Sequence, residues 1–411
     1  MQMKILQVNY SDIVGGAALA VNNLHNYLIK NEIDSKMLVV DKNINDKNII
    51  GPKNKLEKFS FNFRSRLIKY LVRKIYYSPI KNSYSLNYFN TNILKQINSS
   101  SVDLVHLHWI GNEMISISQL KKINKPIIWT FWDMWPLNGA EHYSYDNRCL
   151  EGYNKNNRPQ KEKGLDLNRL IWEHKLKKFN LKFNVICPSS WLYNIAKKSI
   201  IFNKSEIKYI PISVDTSYWV NQNNIESKKK LGISLDKKIL LFSSTSGTND
   251  RKGFNFLVDA INNSKIENLF LIVIGEKPKR LEELKIEFKY FGKIEDRSKQ
   301  RTLYSATDLI LMPSIREVFG LVSLEGASCS VPSVIFDDTG CSDLITHKFN
   351  GYIAEKKNSL EYQRGIDWCI SDEKRLDKLK SNAREKAKDF DNDINFKKLI
   401  NYYKSIIKNK N

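Results

Sequence analysis

The same alternation runs twice along this chain, and it narrows the fold more than any single residue does. In the first half, short apolar segments suited to strands stand at 4–9, 36–40, 104–108, 127–131 and 184–187. Helical patterns lie between them, such as 17–30 and 167–178. Residues 207–211 read as a last strand before a connecting segment. The second half then restarts, with strands expected at 238–243, 269–274, 288–292, 309–312 and 333–336 and helices such as 254–262 and 297–305 between them. Parallel strands need a helix-length crossover, and parallel sheets are covered by helices on both faces. With 411 residues the chain is long enough for two α/β domains, each with its own core.

Charge and cysteine usage bound the partners. Five cysteines (Cys149, Cys187, Cys329, Cys341, Cys369) are odd in number, scattered and free of Cys-x-x-Cys pairs. That pattern argues for a reducing compartment and against a zinc site or disulfide framework. The start of the chain, Met3-Lys4-Ile5-Leu6, reads as a first strand rather than a signal. No run approaches the roughly 20 apolar residues that span a bilayer, so a cytoplasmic location is expected. A formal net charge of +22 calls for an anionic partner or reflects a lysine-rich genome composition. The charge concentrates at 53–81, where Lys55, Lys58, Arg64, Arg66, Lys69, Arg73 and Lys74 alternate with Phe59, Phe61, Phe63, Tyr70, Tyr76 and Tyr77, and Glu57 is the only acid. Such a segment suits an anionic membrane surface, here the inner-membrane face, or the flank of a domain core. No nucleic-acid motif accompanies it, so no nucleic-acid partner is expected.

Chemistry concentrates near one strand end. Glu317 follows the apolar run 308–312 and the breaker pair Pro313-Ser314, and Glu325 stands eight positions on, a spacing that returns a side chain to nearly the same helix face. Strand, loop and helix start is where α/β sheets hold anionic ligands. Two solvated carboxylates at a helix start would give the same spacing. In the first half Gly15-Gly16-Ala17-Ala18 opens a helix directly after the first strand, where glycine permits close backbone approach.

The ordered run Tyr304-Ser305-Ala306-Thr307-Asp308, Pro313-Ser314, Glu317-Val318-Phe319-Gly320, Leu324-Glu325-Gly326, Val331-Pro332-Ser333-Val334, Gly340 and Asn350-Gly351 resembles the signature of the family-four (group 1) retaining glycosyltransferases. The resemblance implies the GT-B fold: two Rossmann-like domains with a cleft between them and a C-terminal helix returning to the first domain. It implies an acceptor-binding domain at 1–212, a nucleotide-sugar-binding domain at 213–390 and a returning helix at 391–411. It further implies a nucleoside-diphosphate sugar donor, a growing glycan or lipid-linked acceptor, and neither metal nor other cofactor. Domain closure would bring Gly16 toward the donor.

Carried over residue by residue, Glu317 lies beside the donor sugar. The backbone of Phe319, Gly320 and Leu321 holds hydroxyls and phosphates, and Glu325 takes the ribose hydroxyls. Lys252, before Gly253, matches a family lysine that meets the diphosphate. The arginine usual about five residues earlier is missing around Ser246 and Gly247, and Arg251 is expected to stand in. Gly15 and Gly16 match the family's glycine-rich loop. Many relatives carry a histidine where this chain has Trp132, beside Asp133; a tryptophan can neither accept a hydrogen bond nor share a proton. His108, Asp133 or His142 is expected to replace it, with His108 and Asp133 as catalytic candidates. Trp109, Trp132 and Trp135 serve either as sugar platforms or as core. Pro188-Ser189-Ser190-Trp191 matches a stretch with a structural role. In the segment Val214-Asp215-Thr216, Ile212 and Ser213 replace the usual Asn-Gly. A sugar-nucleotide epimerase of the same fold and a catalytically silent, membrane-associated carbohydrate-binding subunit remain as alternatives.

Overall fold

The computed structural model describes residues 2–244 and 250–409; the positions Ser246 and Gly247 lie outside the described residues. The chain divides into two units, one reaching to Pro211 and resuming at Phe396, the other running from Ile212 to Asn395.

The first unit is built on a parallel sheet in the order Ile49–Ile50, Asp34–Leu38, Lys4–Val8, Leu104–Leu107, Ile127–Thr130, Asn184–Cys187, Glu206–Tyr209. Leu6 sits opposite Lys36 on one side and Val105 on the other. The two-residue edge strand Ile49–Ile50 carries too little pattern to be seen in the sequence. The second sheet, also parallel, runs Glu287–Tyr290, Leu269–Gly275, Lys238–Ser244, Leu309–Met312, Ser333–Phe336, Gly351–Ala354. Its last strand hides behind Asn350-Gly351, a pair that reads as a turn.

In each sheet the order reverses beside the first strand: after Lys4–Val8 in one, after Lys238–Ser244 in the other. Loops leaving the carboxyl ends of the strands on either side of such a reversal diverge and leave a crevice. In the first unit those loops carry Gly15-Gly16 and His108-Trp109. In the second they carry Arg251-Lys252 and Pro313 to Gly320.

Helix starts are fixed by short polar caps. Asn54, Asp166 and Ser189 accept from the backbone N–H groups of Glu57, Arg169 and Leu192. Ser189 thus has the structural role implied for its motif. The helix Asn392–Lys408 belongs to the first unit from Phe396 onward. There Phe396, Leu399, Tyr402 and Tyr403 pack with Ile5, Leu24, Leu28 and Ile186. Tyr403 Oη lies 2.6 Å from His106 Nδ1 inside that core. Among the described residues, no helix is long and apolar enough to cross a membrane.

Candidate functional site

Two backbone constraints bring the basic pair of the second unit to the acidic loop. Gly253 has φ 71°, and a Cβ there would stand 1.8 Å from the Pro313 carbonyl oxygen, so glycine alone allows this approach. Alongside it the Ile315 N–H donates to the Arg251 carbonyl at 2.8 Å. The side chains then converge. Lys252 Nζ donates to Glu317 Oε2 at 2.5 Å, and Arg251 Nη1 donates to the same oxygen at 3.2 Å and to the Arg316 carbonyl at 2.7 Å. Ser314 Oγ donates to that oxygen at 3.4 Å, and Gly340 N–H holds the Glu317 carbonyl at 2.8 Å.

All three charged side chains keep a narrow window to solvent: Glu317 is 13% exposed, Lys252 16% and Arg251 12%. Burial alone would push the Glu317 carboxyl up. The Lys252 ammonium and then the Arg251 guanidinium overcome it and bring the value down to about 2. Glu317 is therefore an anion throughout the physiological range.

Four residues beyond Glu317 the helix Leu321–Ser328 begins. Glu317 thus precedes the helix, and the eight-residue helical spacing to Glu325 does not apply. Gly320 caps the helix with φ 93°, and a Cβ there would meet Cys341 Sγ and Met312 Cε at 2.8 Å. Phe319 is buried, its ring edge-on to Phe390 at 5.4 Å, so only its backbone is offered at the turn. The first N–H groups of a helix have no partners within it and carry its positive dipole end.

Glu325 lies on that helix in a separate group of contacts. It is half-buried and accepts from Tyr304 Oη at 2.9 Å. Burial pushes its carboxyl up to about 7, restrained by the Tyr304 hydroxyl and the positive charge of Arg297. Arg297, stacked 4.8 Å over the Tyr218 ring, escaped the sequence reading; only its place in a helix was legible. Within the signature run, Asp308 is structural. Its carboxylate accepts from Ile239 N–H at 2.9 Å and Lys380 Nζ at 2.8 Å.

In the first unit Gly15 has φ 95° with nothing within 4 Å of a built Cβ, and Gly16 opens the helix Gly16–Lys30. Conformation demands glycine at 15, and the turn is uncrowded. Asp12 fixes the neighbouring loop by accepting from the N–H groups of Asn43 and Ile44, both at 2.7 Å.

His108 and Asp133 each have a set of structural partners. His108 is 2% exposed; Trp132 Nε1 donates to its Nδ1 at 3.1 Å, which leaves Nε2–H to donate to Gln7 Oε1 at 2.6 Å. Burial, reinforced by His106, drives its pKa well below the usual imidazole value, so it is a neutral, doubly bonded ring. Asp133 is 5% exposed and accepts from Trp109 Nε1 at 2.6 Å, His142 Nδ1 at 2.5 Å and Trp135 N–H at 2.9 Å. His142 is closed on its other side by Ser85 Oγ at 2.8 Å. Each group expected to replace the missing histidine is spent on orienting an indole or a loop. Trp135 is core, with the Lys175 ammonium 3.8 Å over its ring, whereas Trp109 and Trp132 stay half-buried.

Residues 223–386 match the family model described as glycosyl transferases group 1. The match lies within the second unit and takes in Arg251, Lys252, Glu317 and Glu325. An uncharacterized glycosyltransferase of Methanocaldococcus jannaschii is 28% identical over 50% of this chain and 56% of its own length. The N,N'-diacetylbacillosaminyl-diphospho-undecaprenol alpha-1,3-N-acetylgalactosaminyltransferase of Campylobacter jejuni is 25% identical over 57% and 58%. The chain thus spans about half the length of the curated relatives it matches. Among solved structures, HepE of Anabaena in complex with UDP and glucose is similar at a TM-score of 0.66 and 17% identity, covering 98% of this chain and 100% of that one. Sucrose-phosphate synthase of Thermosynechococcus elongatus gives 0.69 at 16%, covering 98% and 99%. The fold is GT-B.

Proposed function

We propose that this group 1 chain is a retaining glycosyltransferase. It would move a sugar from a nucleoside diphosphate onto a growing cell-surface polysaccharide or lipid-linked glycan, without a metal. The observation that carries the reading is the triad of Arg251, Lys252 and Glu317 at the strand-order reversal, directly ahead of the helix capped by Gly320. Departure of a nucleoside diphosphate concentrates negative charge on the leaving oxygen, and fixed cations plus helix dipole meet it there. Lys252 Nζ spends one of its three donors on Glu317, which leaves two for phosphate oxygens.

Glu317, held ionised, accepts donor-sugar hydroxyls; Glu325 accepts the ribose pair, assisted by Tyr304. In the transfer, the acceptor hydroxyl oxygen bonds to the anomeric carbon as the bond from that carbon to the phosphate oxygen breaks. The acceptor proton passes to the departing diphosphate on the same face. A donor-binding role is proposed for Gly15 and Gly16 of the first unit as well. That HepE binds UDP and glucose supports a uridine donor, and the name of the Campylobacter jejuni relative supports a diphospho-lipid acceptor. All five cysteines are buried thiols outside any disulfide.

The test is a thermal-shift screen of UDP-, GDP- and ADP-sugars, followed by assay of nucleoside diphosphate release. Stabilisation by one class, with release that depends on acceptor, is expected. Release without acceptor alongside a changed sugar would identify an epimerase. Affinity without any release would identify a silent binder.

Glu325 adds a proton-linkage prediction. A carboxyl raised from 4.5 to about 7 keeps its proton in the folded state across that window, and its contribution to stability is lost as pH rises through 7. Hydroxyls donated by a ribose favour the anion and expel the proton. Calorimetric titration near pH 6, in buffers of different ionisation enthalpy, should register release of most of one proton. The effect should vanish at about pH 8.5 and in Glu325→Gln; its persistence in Glu325→Gln would assign the proton elsewhere.

A further inference from the structure

The helix Lys55–Ile75 carries two apolar stripes on opposite sides. Phe61, Ser65, Ile68 and Val72 face inward and are buried. Leu56, Phe59, Phe63, Leu67 and Tyr70 repeat at intervals of three and four and face water, with Leu56 79% exposed and Phe59 67%. At about 100° per residue the two stripes stand roughly 160° apart. The outer rings already cluster, Phe59 stacking on Phe63 at 6.0 Å.

Between the stripes, on one flank, the same rotation places Lys55, Lys58, Arg66, Lys69 and Arg73, all exposed. The single acid, Glu57, is occupied at the helix start, accepting from Lys53 N–H and Gln96 Nε2. Its neighbour Asn54 caps the first turn. An inner stripe explains why the helix is folded; among the described residues the outer one stays exposed.

We infer that this outer face lies on the surface of an anionic lipid bilayer, with the ring stripe at the acyl boundary and the basic flank on headgroup phosphates. Charge complementarity selects the occupant. A second copy of the helix would bring two basic flanks together, and a nucleic acid would engage the cations while leaving the apolar stripe in water. A negatively charged bilayer satisfies both faces at once, with lysine and arginine stems reaching up to the headgroups. The surface stands independently of the transferase reading, because lipid binding needs no turnover.

The experiment is co-sedimentation of the full chain with phosphatidylglycerol/phosphatidylethanolamine vesicles and with neutral phosphatidylcholine vesicles. Binding to the first and not the second is expected, weakening as salt rises. The pair Phe59→Ser/Phe63→Ser should lower partitioning by roughly 30-fold. The triple Lys58→Glu/Arg66→Glu/Lys69→Glu should lower it by roughly 100-fold and flatten the salt dependence. Both sets lie on the exposed side, so melting temperatures should match the parent. Recovery of the parent protein in the supernatant with both vesicle types would overturn the proposal. So would undiminished binding by the charge triple, a dimer in light scattering that the phenylalanine pair abolishes, or tighter binding to RNA than to vesicles.

Discussion

Lys252→Met is expected to lower turnover by a factor of about 100 to 1000 and to weaken nucleotide-sugar binding by about tenfold. The methionine keeps most of the side-chain volume and removes the ammonium that lies 2.5 Å from Glu317 Oε2. Arg251 remains on that oxygen at 3.2 Å, so the site keeps one cation and loses the other. The loss should fall more on kcat than on binding, because leaving-group charge is greatest in the transition state. Glu317→Gln should be at least as damaging to turnover, and the pair should be non-additive, since each variant already breaks the contact the other would remove.

A stability readout tests the same contact without any substrate. Glu317 is held at about 2 in the folded chain against 4.5 for the free side chain. Its contribution, about 3 kcal/mol, is complete above 4.5 and is lost as pH falls toward 2. Lys252→Met should therefore move acid unfolding to higher pH. An unchanged acid transition together with near-parental turnover would remove Lys252 and Glu317 from the proposed mechanism.

How much of this was readable in advance differs between the two units. Parallel α/β architecture was legible because buried strands such as Leu309–Met312 and Leu269–Gly275 are unbroken apolar runs. The meeting of Lys252 with Glu317 was legible only as a resemblance. They are 65 positions apart, and the contact depends on a left-handed Gly253 lodged against Pro313, which no periodicity announces. In the first unit, the resemblance and the tryptophan standing where many relatives have a histidine suggested chemistry at His108 and Asp133. There the decisive fact was where their hydrogen bonds end: Asp133 accepts from Trp109, Trp135 and His142, and His108 is held between Trp132 and Gln7. Arg297 escaped, and Tyr304 was legible only as part of a motif, for the converse reason: they lie on an ordinary amphipathic helix and gain meaning only from the carboxylate of Glu325 beside them.

That first-unit network rests on a buried lysine, and its removal should be the most destabilising single change outside the candidate site. Lys175 is 0% exposed, on the helix Leu167–Lys178. Its Nζ donates to three carbonyls, those of Trp135, Asn138 at 3.0 Å and Gly139 at 2.7 Å, and lies over the Trp135 ring. Burial pulls its pKa well down, opposed by the charges of Glu141 and Asp133. Three acceptors match the three N–H bonds of an ammonium, one more than a neutral amine offers, so the arrangement favours the protonated form.

Lys175→Met would fill the same space and strand the Asn138 and Gly139 carbonyls, each at about 1–3 kcal/mol, while the Trp135 carbonyl keeps the Asn138 N–H at 3.3 Å. The expected loss is about 3–5 kcal/mol, or a melting temperature lower by roughly 10 °C. Lys177→Met, exposed on the same helix, should change stability by less than about 0.5 kcal/mol. Nucleotide-sugar affinity in Lys175→Met, measured well below its melting point, should stay near the parent value. The cations and carboxylates assigned to the donor belong to the other unit, whereas Lys175 braces the loop that carries Asp133 and His142. A Lys175→Met protein as stable as the parent would mean that this loop holds its shape without the lysine, and would leave the orientation of Trp109 and Trp132 to Asp133 and His108 alone.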